Sequence, residues 1–163
     1  MSVAIREARP DDADGLEELA FRARAEWGFE EAVRAADRAE LIIPPRAVLE
    51  GRVFVAESEG RLHGFFALEP LGEGDIELTH LVIEPAEAGL GYGRRLWEQA
   101  LIEAERLGGR RLVVVPDPGT EPFYVARGAE WIGESESVVR PGRTLPRLGY
   151  PLARPWPGKR PAE

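Results

Sequence analysis

Cysteine is absent from this chain, which removes any disulfide framework, thiolate metal site or cysteine nucleophile. Two histidines, His63 and His80, are too few for an obvious metal cluster, so no metal is expected. Lysine is nearly missing: Lys159 stands alone against 20 arginines. With abundant Ala, Gly and Pro, that usage reflects genomic base composition or heat adaptation and says nothing of function. No apolar run approaches the roughly 20 residues a membrane-spanning helix needs. The opening MSVAIREARPDD lacks the apolar stretch of a signal peptide, so a cytoplasmic protein without a membrane partner is expected. A basic excess is missing too. With 21 basic and 29 acidic residues the net charge is −8, and a nucleic-acid groove would have to be a local exception to that field.

What is present is a chain of 163 residues, 44% hydrophobic and 31% charged, of a size for one domain with a sizeable core. Residues 1–152 are expected to form that domain, and the Pro-rich residues 153–163 a loose tail. Val3 to Ala8 alternate as a strand, followed by the Pro10 turn with Asp11 and Asp12 as capping residues. Leu16, Leu19, Ala20, Ala23 and Trp27 recur at helical spacing up to Gly28, and Glu30 to Ile42 reads as a second helix ended by Pro44 and Pro45. The period then changes. Val53 to Glu57 and Leu62 to Leu68 form a hairpin around Gly60, and Ile76 to Ile83 extends it to an antiparallel meander. A helix with Leu96, Ala100, Leu101, Ala104 and Leu107 on one face ends at Gly108 and Gly109. Leu112 to Val115 reads as a central strand, Glu121 to Ala126 as a short helix, and Trp131, Ile132, Val138 and Val139 as strand residues.

Between the third strand and the central helix lies Gly89-Leu90-Gly91-Tyr92-Gly93-Arg94-Arg95. A strand, a glycine turn and a helix suit an anionic phosphate, because unpaired N–H groups and the positive helix end converge where glycine permits close approach. An ordinary glycine loop is the bland alternative. A Walker loop needs a Gly-Lys-Ser/Thr that is absent, and a dinucleotide fingerprint counted from Gly89 would place glycine where Arg94 stands. The meander upstream is also wrong for a doubly wound sheet.

The run from Leu81, Val82 and Ile83 through Pro85 and Ala88 to Gly89, Leu90, Gly91, Tyr92, Gly93 and Arg94 resembles the acetyl-CoA-binding motif of the GNAT superfamily of N-acetyltransferases. A second block, Asp117 to Ala129 with Phe123, Tyr124 and Gly128, resembles that family's Asn-x-x-Ala-x-x-Phe-Tyr-x-x-x-Gly-Phe segment, and the likeness covers about Val3 to Gly133. Ala88, Asp117 and Ala129 depart from the usual Arg/Gln, Asn and Phe. Main-chain donors survive the loss at Ala88, and Arg94 supplies a guanidinium.

The resemblance implies a single-domain α/β fold, a mixed and mostly antiparallel sheet flanked by helices, with acetyl-CoA as cosubstrate. It implies that the splayed ends of Ile76–Ile83 and Leu112–Val115 take the pantetheine arm, with Asp117 on the cofactor side. It also implies direct acetyl transfer to a primary amine, with Glu77 at the general-base position and Tyr124 beside the CoA sulfur as proton donor. Structural alternatives are a salt-bridged strand glutamate and a half-buried tyrosine. His63 and His80 read as structural or solvent-facing. Trp27 and Phe29 fall where the family's acceptor pocket lies. Residues 1–50 hold 12 acids and seven arginines, a balance that favours a small basic amine. A non-catalytic acyl-CoA sensor or interaction module on the same fold is the alternative, and the oligomeric state is open, a homodimer included.

Overall fold

The computed structural model describes residues 3–25, 43–116, 119–136, 142 and 144–152. Strand β1 (Ala4–Glu7) leads through a short 3-10 turn at Pro10–Asp12 into helix α1 (Ala13–Ala25). After α2 (Pro45–Leu49) come β2 (Val53–Ser58), β3 (Arg61–Gly72) and β4 (Asp75–Ile83). A second 3-10 turn, Pro85–Glu87, precedes α3 (Tyr92–Arg106). Strand β5 (Arg111–Val114), helix α4 (Glu121–Ala126) and strands β6 (Glu130–Glu136) and β7 (Thr144–Pro151) complete the described chain. The seven strands make one sheet in the order β1-β2-β3-β4-β5-β7-β6, and β4 with β5 is its parallel pair. This is the mixed, mostly antiparallel α/β architecture expected from the sequence.

Alternation along the strands sends apolar side chains to both faces. On one face Phe54, Phe66, Leu68, Ile76, Leu78, Leu112, Val114 and Leu148 pack against Leu96, Trp97, Ala100 and Ala104 of α3. On the other, Val53, Val55, Phe65 and Ala67 meet Leu16, Leu19 and Ala20 of α1 and Ala47 and Val48 of α2. Each large side chain buried this way contributes about 1.5–3 kcal/mol from the area it removes from water.

Two elements differ from the sequence reading. Where the sequence has Pro44 and Pro45 as a helix end, Pro45 is the first residue of α2, a position where a missing N–H costs nothing. The last strand, β7, lies between β5 and β6 although it carries Pro146, Gly149 and Pro151, residues that argue against a strand. It survives because Pro146 lies beyond the stretch paired with β5, where Leu148 to Pro151 oppose Val114 to Arg111, and Pro151 is the strand's last residue. The expected helix Glu30–Ile42, Trp27 and Phe29, Val138 and Val139, and the tail from 153 lie outside the described residues.

Candidate active site

The geometry of the site begins with an irregularity in β4. Opposite β3, Ala67 pairs with His80 but Leu68 pairs with Leu78, so Thr79 is an extra residue. Its hydroxyl donates to the Ala67 carbonyl at 3.2 Å, securing the bulge. The bulge reverses the alternation beyond it. Leu81 and Ile83 therefore join Leu78 on the α3 face, and His80 and Val82 turn to the α1 face.

On its other side β4 pairs with β5 over three positions only, Asp75–Glu77 against Arg111–Val113, and the strands then part. A cavity of about 470 Å³ lies where they separate. Leu78 to Ile83 form one wall, Val114, Val115 and Pro116 the other, Ala20 and Ala23 of α1 close one side, and Thr120, Phe123 and Tyr124 the opposite side. Contributions from elements on both faces place the cavity through the sheet. Asp75 and Arg111 lock the first of these rungs, at the end away from the cavity, with two hydrogen bonds, 3.0 and 2.9 Å. That pairing holds the Asp75 carboxyl below its ordinary pKa.

One end of the cavity reaches Pro85, Ala88 and Gly93, at the glycine turn. Gly89 and Gly91 have φ of +86° and +92°, a region that disfavours residues with a Cβ, and a Cβ at either position would meet nothing within 4 Å. Their glycine identity is thus required by the backbone and not by crowding within the chain. Gly91 caps α3, and the first helical bond runs from the Arg95 N–H to the Gly91 carbonyl at 3.2 Å. The N–H groups of Tyr92, Gly93 and Arg94 precede that bond, as the opening donors of a 15-residue helix. Ala88, Gly89, Leu90, Gly91, Arg94 and Arg95 are exposed. Arg94 faces solvent with only a loose 3.4 Å contact to Glu98.

Tyr124 is 6% exposed and lines the cavity, its ring edge-on to Trp97 at 5.7 Å and to Phe123 at 5.1 Å. Glu77 does not line it. It occupies the last rung of the β4–β5 pair, with its side chain on the α1 face beside Glu69, its partner on β3. Burial raises the Glu77 carboxyl above its ordinary pKa; Arg147 on β7 opposes the rise and Glu69 adds to it. Glu69 is itself held by the buried Arg52, whose guanidinium also donates to Glu50 and to the Leu68 carbonyl.

Of the residues singled out in the sequence, Leu81, Val82, Ile83, Gly93 and Tyr124 meet at the cavity, while Gly89, Leu90, Gly91, Tyr92 and Arg94 form the turn at its edge. Asp117 lies outside the described residues. His80 is not solvent-facing: it is 9% exposed, lines the cavity, and has its Nδ1 2.9 Å from the Thr79 hydroxyl. The sequence reading also missed Thr79 and the α1 alanines Ala20 and Ala23 as cavity residues. The first depends on a bulge and the others on how α1 crosses the sheet, and neither leaves a local motif.

Residues 14–129 match the model of the acetyltransferase (GNAT) family. No curated protein matches the chain significantly. Among solved structures, PaiA N-acetyltransferase from Thermoplasma acidophilum in complex with coenzyme A shares the fold at a TM-score of 0.73 and 16% identity, over 93% of this chain and 99% of that one. A GNAT family acetyltransferase from Brucella melitensis in complex with acetyl-CoA gives 0.67 and 20%, over 96% and 92%. N-acetylglutamate synthase from Neisseria gonorrhoeae, complexed with coenzyme A and N-acetyl-glutamate, gives 0.67 and 23% over 94% of this chain, which spans only 36% of that protein.

Proposed function

The chain belongs to the GNAT family of acetyltransferases, and from that premise we propose that it moves the acetyl group of acetyl-CoA directly to a primary amine, with small basic amines the preferred acceptors. The observation that carries this reading is the continuity of the exposed glycine turn with a cavity opening where β4 and β5 part. A diphosphate finds donors at the start of α3, and an extended thioester arm finds a slot whose strand edges still offer main-chain groups. The residues present fit that ligand: left-handed glycines leave the turn open, and Arg94 and Arg95 add positive charge to an acidic chain.

Within this reading the main chain of Leu81, Val82 and Ile83 holds the arm, and Gly89 to Arg94 the diphosphate. Tyr124 gives its phenolic proton to the departing thiolate. Glu77 takes the amine proton, and since it sits beside the cavity and does not line it, a water relay serves better than direct contact. Positioning of the amine against the thioester supplies the remainder of the rate. The protein at work would be this domain alone or a homodimer of it.

Incubation with acetyl-CoA and a panel of amines, scored by free thiol, tests the proposal. Amine-dependent thiol release with acetylated product is expected. Tight coenzyme A binding without turnover on any amine would replace the enzyme by an acyl-CoA sensor on the same fold.

A further inference from the structure

The imidazole of His63 is 6% exposed, on β3 and outside the cavity, yet it is joined to the glycine turn at both of the turn's ends. Its Nδ1 lies 2.7 Å from Oε1 of Glu87, the last residue of the 3-10 turn before Gly89. Its ring stacks on Tyr92, the first residue of α3, with centroids 4.9 Å apart and planes at 21°. Its Nε2 lies 2.6 Å from the hydroxyl of Ser58, itself buried at the end of β2. With the Nδ1–H donating to the carboxylate, Nε2 accepts from the Ser58 hydroxyl, and every polar atom of the ring is used. The main chain repeats the connection: the Glu84 N–H donates to the His63 carbonyl at 2.9 Å, and the Leu90 N–H to the Glu87 carbonyl at 3.3 Å. Arg61 adds an outer contact to Glu87 at 3.3 Å.

We infer that His63 is a positioning residue for coenzyme A: through Glu87 and Tyr92 it ties the glycine turn to the β2–β3 hairpin and fixes the direction of the N–H groups that receive the diphosphate. The inference rests on the acetyl-CoA reading given above and deepens it. An exposed turn rich in glycine has many conformations to lose on binding, and each is a cost to affinity. Ala88 brings no side-chain donor to this turn, so recognition depends on main-chain groups whose orientation must be set in advance. A buried imidazole held on three sides is rigid enough to set it, and it bears on both ends of the turn at once. The Ser58–His63–Glu87 arrangement has the connectivity of a hydrolytic triad, but Ser58 is 7% exposed and the three residues line no described cavity, so positioning is the role that the geometry supports.

Two probes separate positioning from general stability. Coenzyme A carries the diphosphate, and S-acetylpantetheine lacks it. Glu87→Ala and His63→Gln are expected to raise the calorimetric Kd for coenzyme A about tenfold, while the rate with S-acetylpantetheine stays at the parental level. Glu87→Gln, whose amide oxygen can still accept from Nδ1–H, should recover most of the affinity. Melting curves identify any variant that does not fold, and the remaining variant then carries the comparison. Unchanged Kd in folded variants, or an equal loss with both probes, would overturn the positioning role alone. A parent chain that binds no coenzyme A would overturn the acetyl-CoA reading and this inference with it.

Discussion

Glu77 carries opposite demands of folding and chemistry. Burial holds its carboxyl above the ordinary carboxylate range, so the basic form that can accept a proton from an amine is populated only above that raised value. The rate should therefore rise along an acidic limb displaced upward from a free carboxylate. Glu77→Gln should flatten that limb and lower turnover about 10²–10⁴-fold, the usual cost of losing a general base, with acetyl-CoA affinity little changed. The stability effect has the opposite sign. Between the ordinary and the raised pKa the folded chain holds a proton that the unfolded chain has released, so stability falls as pH rises through this window. Glutamine is neutral throughout. The variant is accordingly expected to melt above the parent at neutral pH and level with it in acid, a loss of function with a gain of stability that a purely structural, salt-bridged glutamate would not give. Tyr124→Phe keeps the edge-on contacts with Trp97 and Phe123 and removes only the hydroxyl, so turnover should drop while acetyl-CoA affinity is little changed. Parental rates in both variants across pH would leave positioning of the substrates as the whole of the catalysis.

The glycine turn and the helix it opens act as one unit, which a paired substitution can resolve. Gly91→Ala and Gly91→Asp both place a Cβ at φ +92°, a strain of roughly 1–2 kcal/mol for alanine that aspartate bears more easily, and the aspartate's charge suits the helix start, so Gly91→Asp should melt no lower than Gly91→Ala. Only the aspartate adds a negative charge beside the helix-start N–H groups. Calorimetry should show coenzyme A affinity weaker in Gly91→Asp than in Gly91→Ala by at least tenfold, about 1.4 kcal/mol; equal affinities would move the diphosphate elsewhere. This turn was readable in the sequence because its physical requirement, glycine before a helix start, is local. So were β2, β3, β5, α1 and α3, and β4 as far as Leu78, from the spacing of their apolar residues. The Thr79 bulge was not readable. Strict alternation from Ile76 and Leu78 places His80 and Val82 on the α3 face, and the structure puts Leu81 and Ile83 there instead. Nothing at Thr79 distinguishes an extra residue from an ordinary strand threonine, because the slip is decided by pairing with Ala67 and Leu68. Strand β7 was hidden for a similar reason: its prolines speak against a strand locally, and its place between β5 and β6 is set by distant partners.

Acetyl-CoA and an amine are unlike in charge, and the chain as a whole meets them with a net charge of −8. For the anionic cosubstrate that field is adverse, and the local positive end of α3 with Arg94 and Arg95 must offset it at short range. For a cationic amine the field is favourable. Residues 1–50 hold 12 acids and seven arginines, and α1, which belongs to that segment, supplies Ala20 and Ala23 to one side of the cavity. Some of this charge is locally neutralised, Arg6 by Asp12 and Glu57 and Arg22 by Glu84, but the excess of acids remains. Such a field raises the local concentration of cations and the rate of encounter, and both effects weaken as the Debye length shrinks from about 30 Å at 0.01 M salt to 10 Å at 0.1 M. Polyamine-like acceptors should therefore show a higher kcat/KM than anionic amino acids, and that advantage should narrow as salt is raised, with kcat nearly constant. An acceptor panel run at both ionic strengths measures this directly. If acidic acceptors are preferred, or if rates with cationic amines ignore salt, the acids of residues 1–50 coat a solvated helix face and play no part in choosing the acceptor.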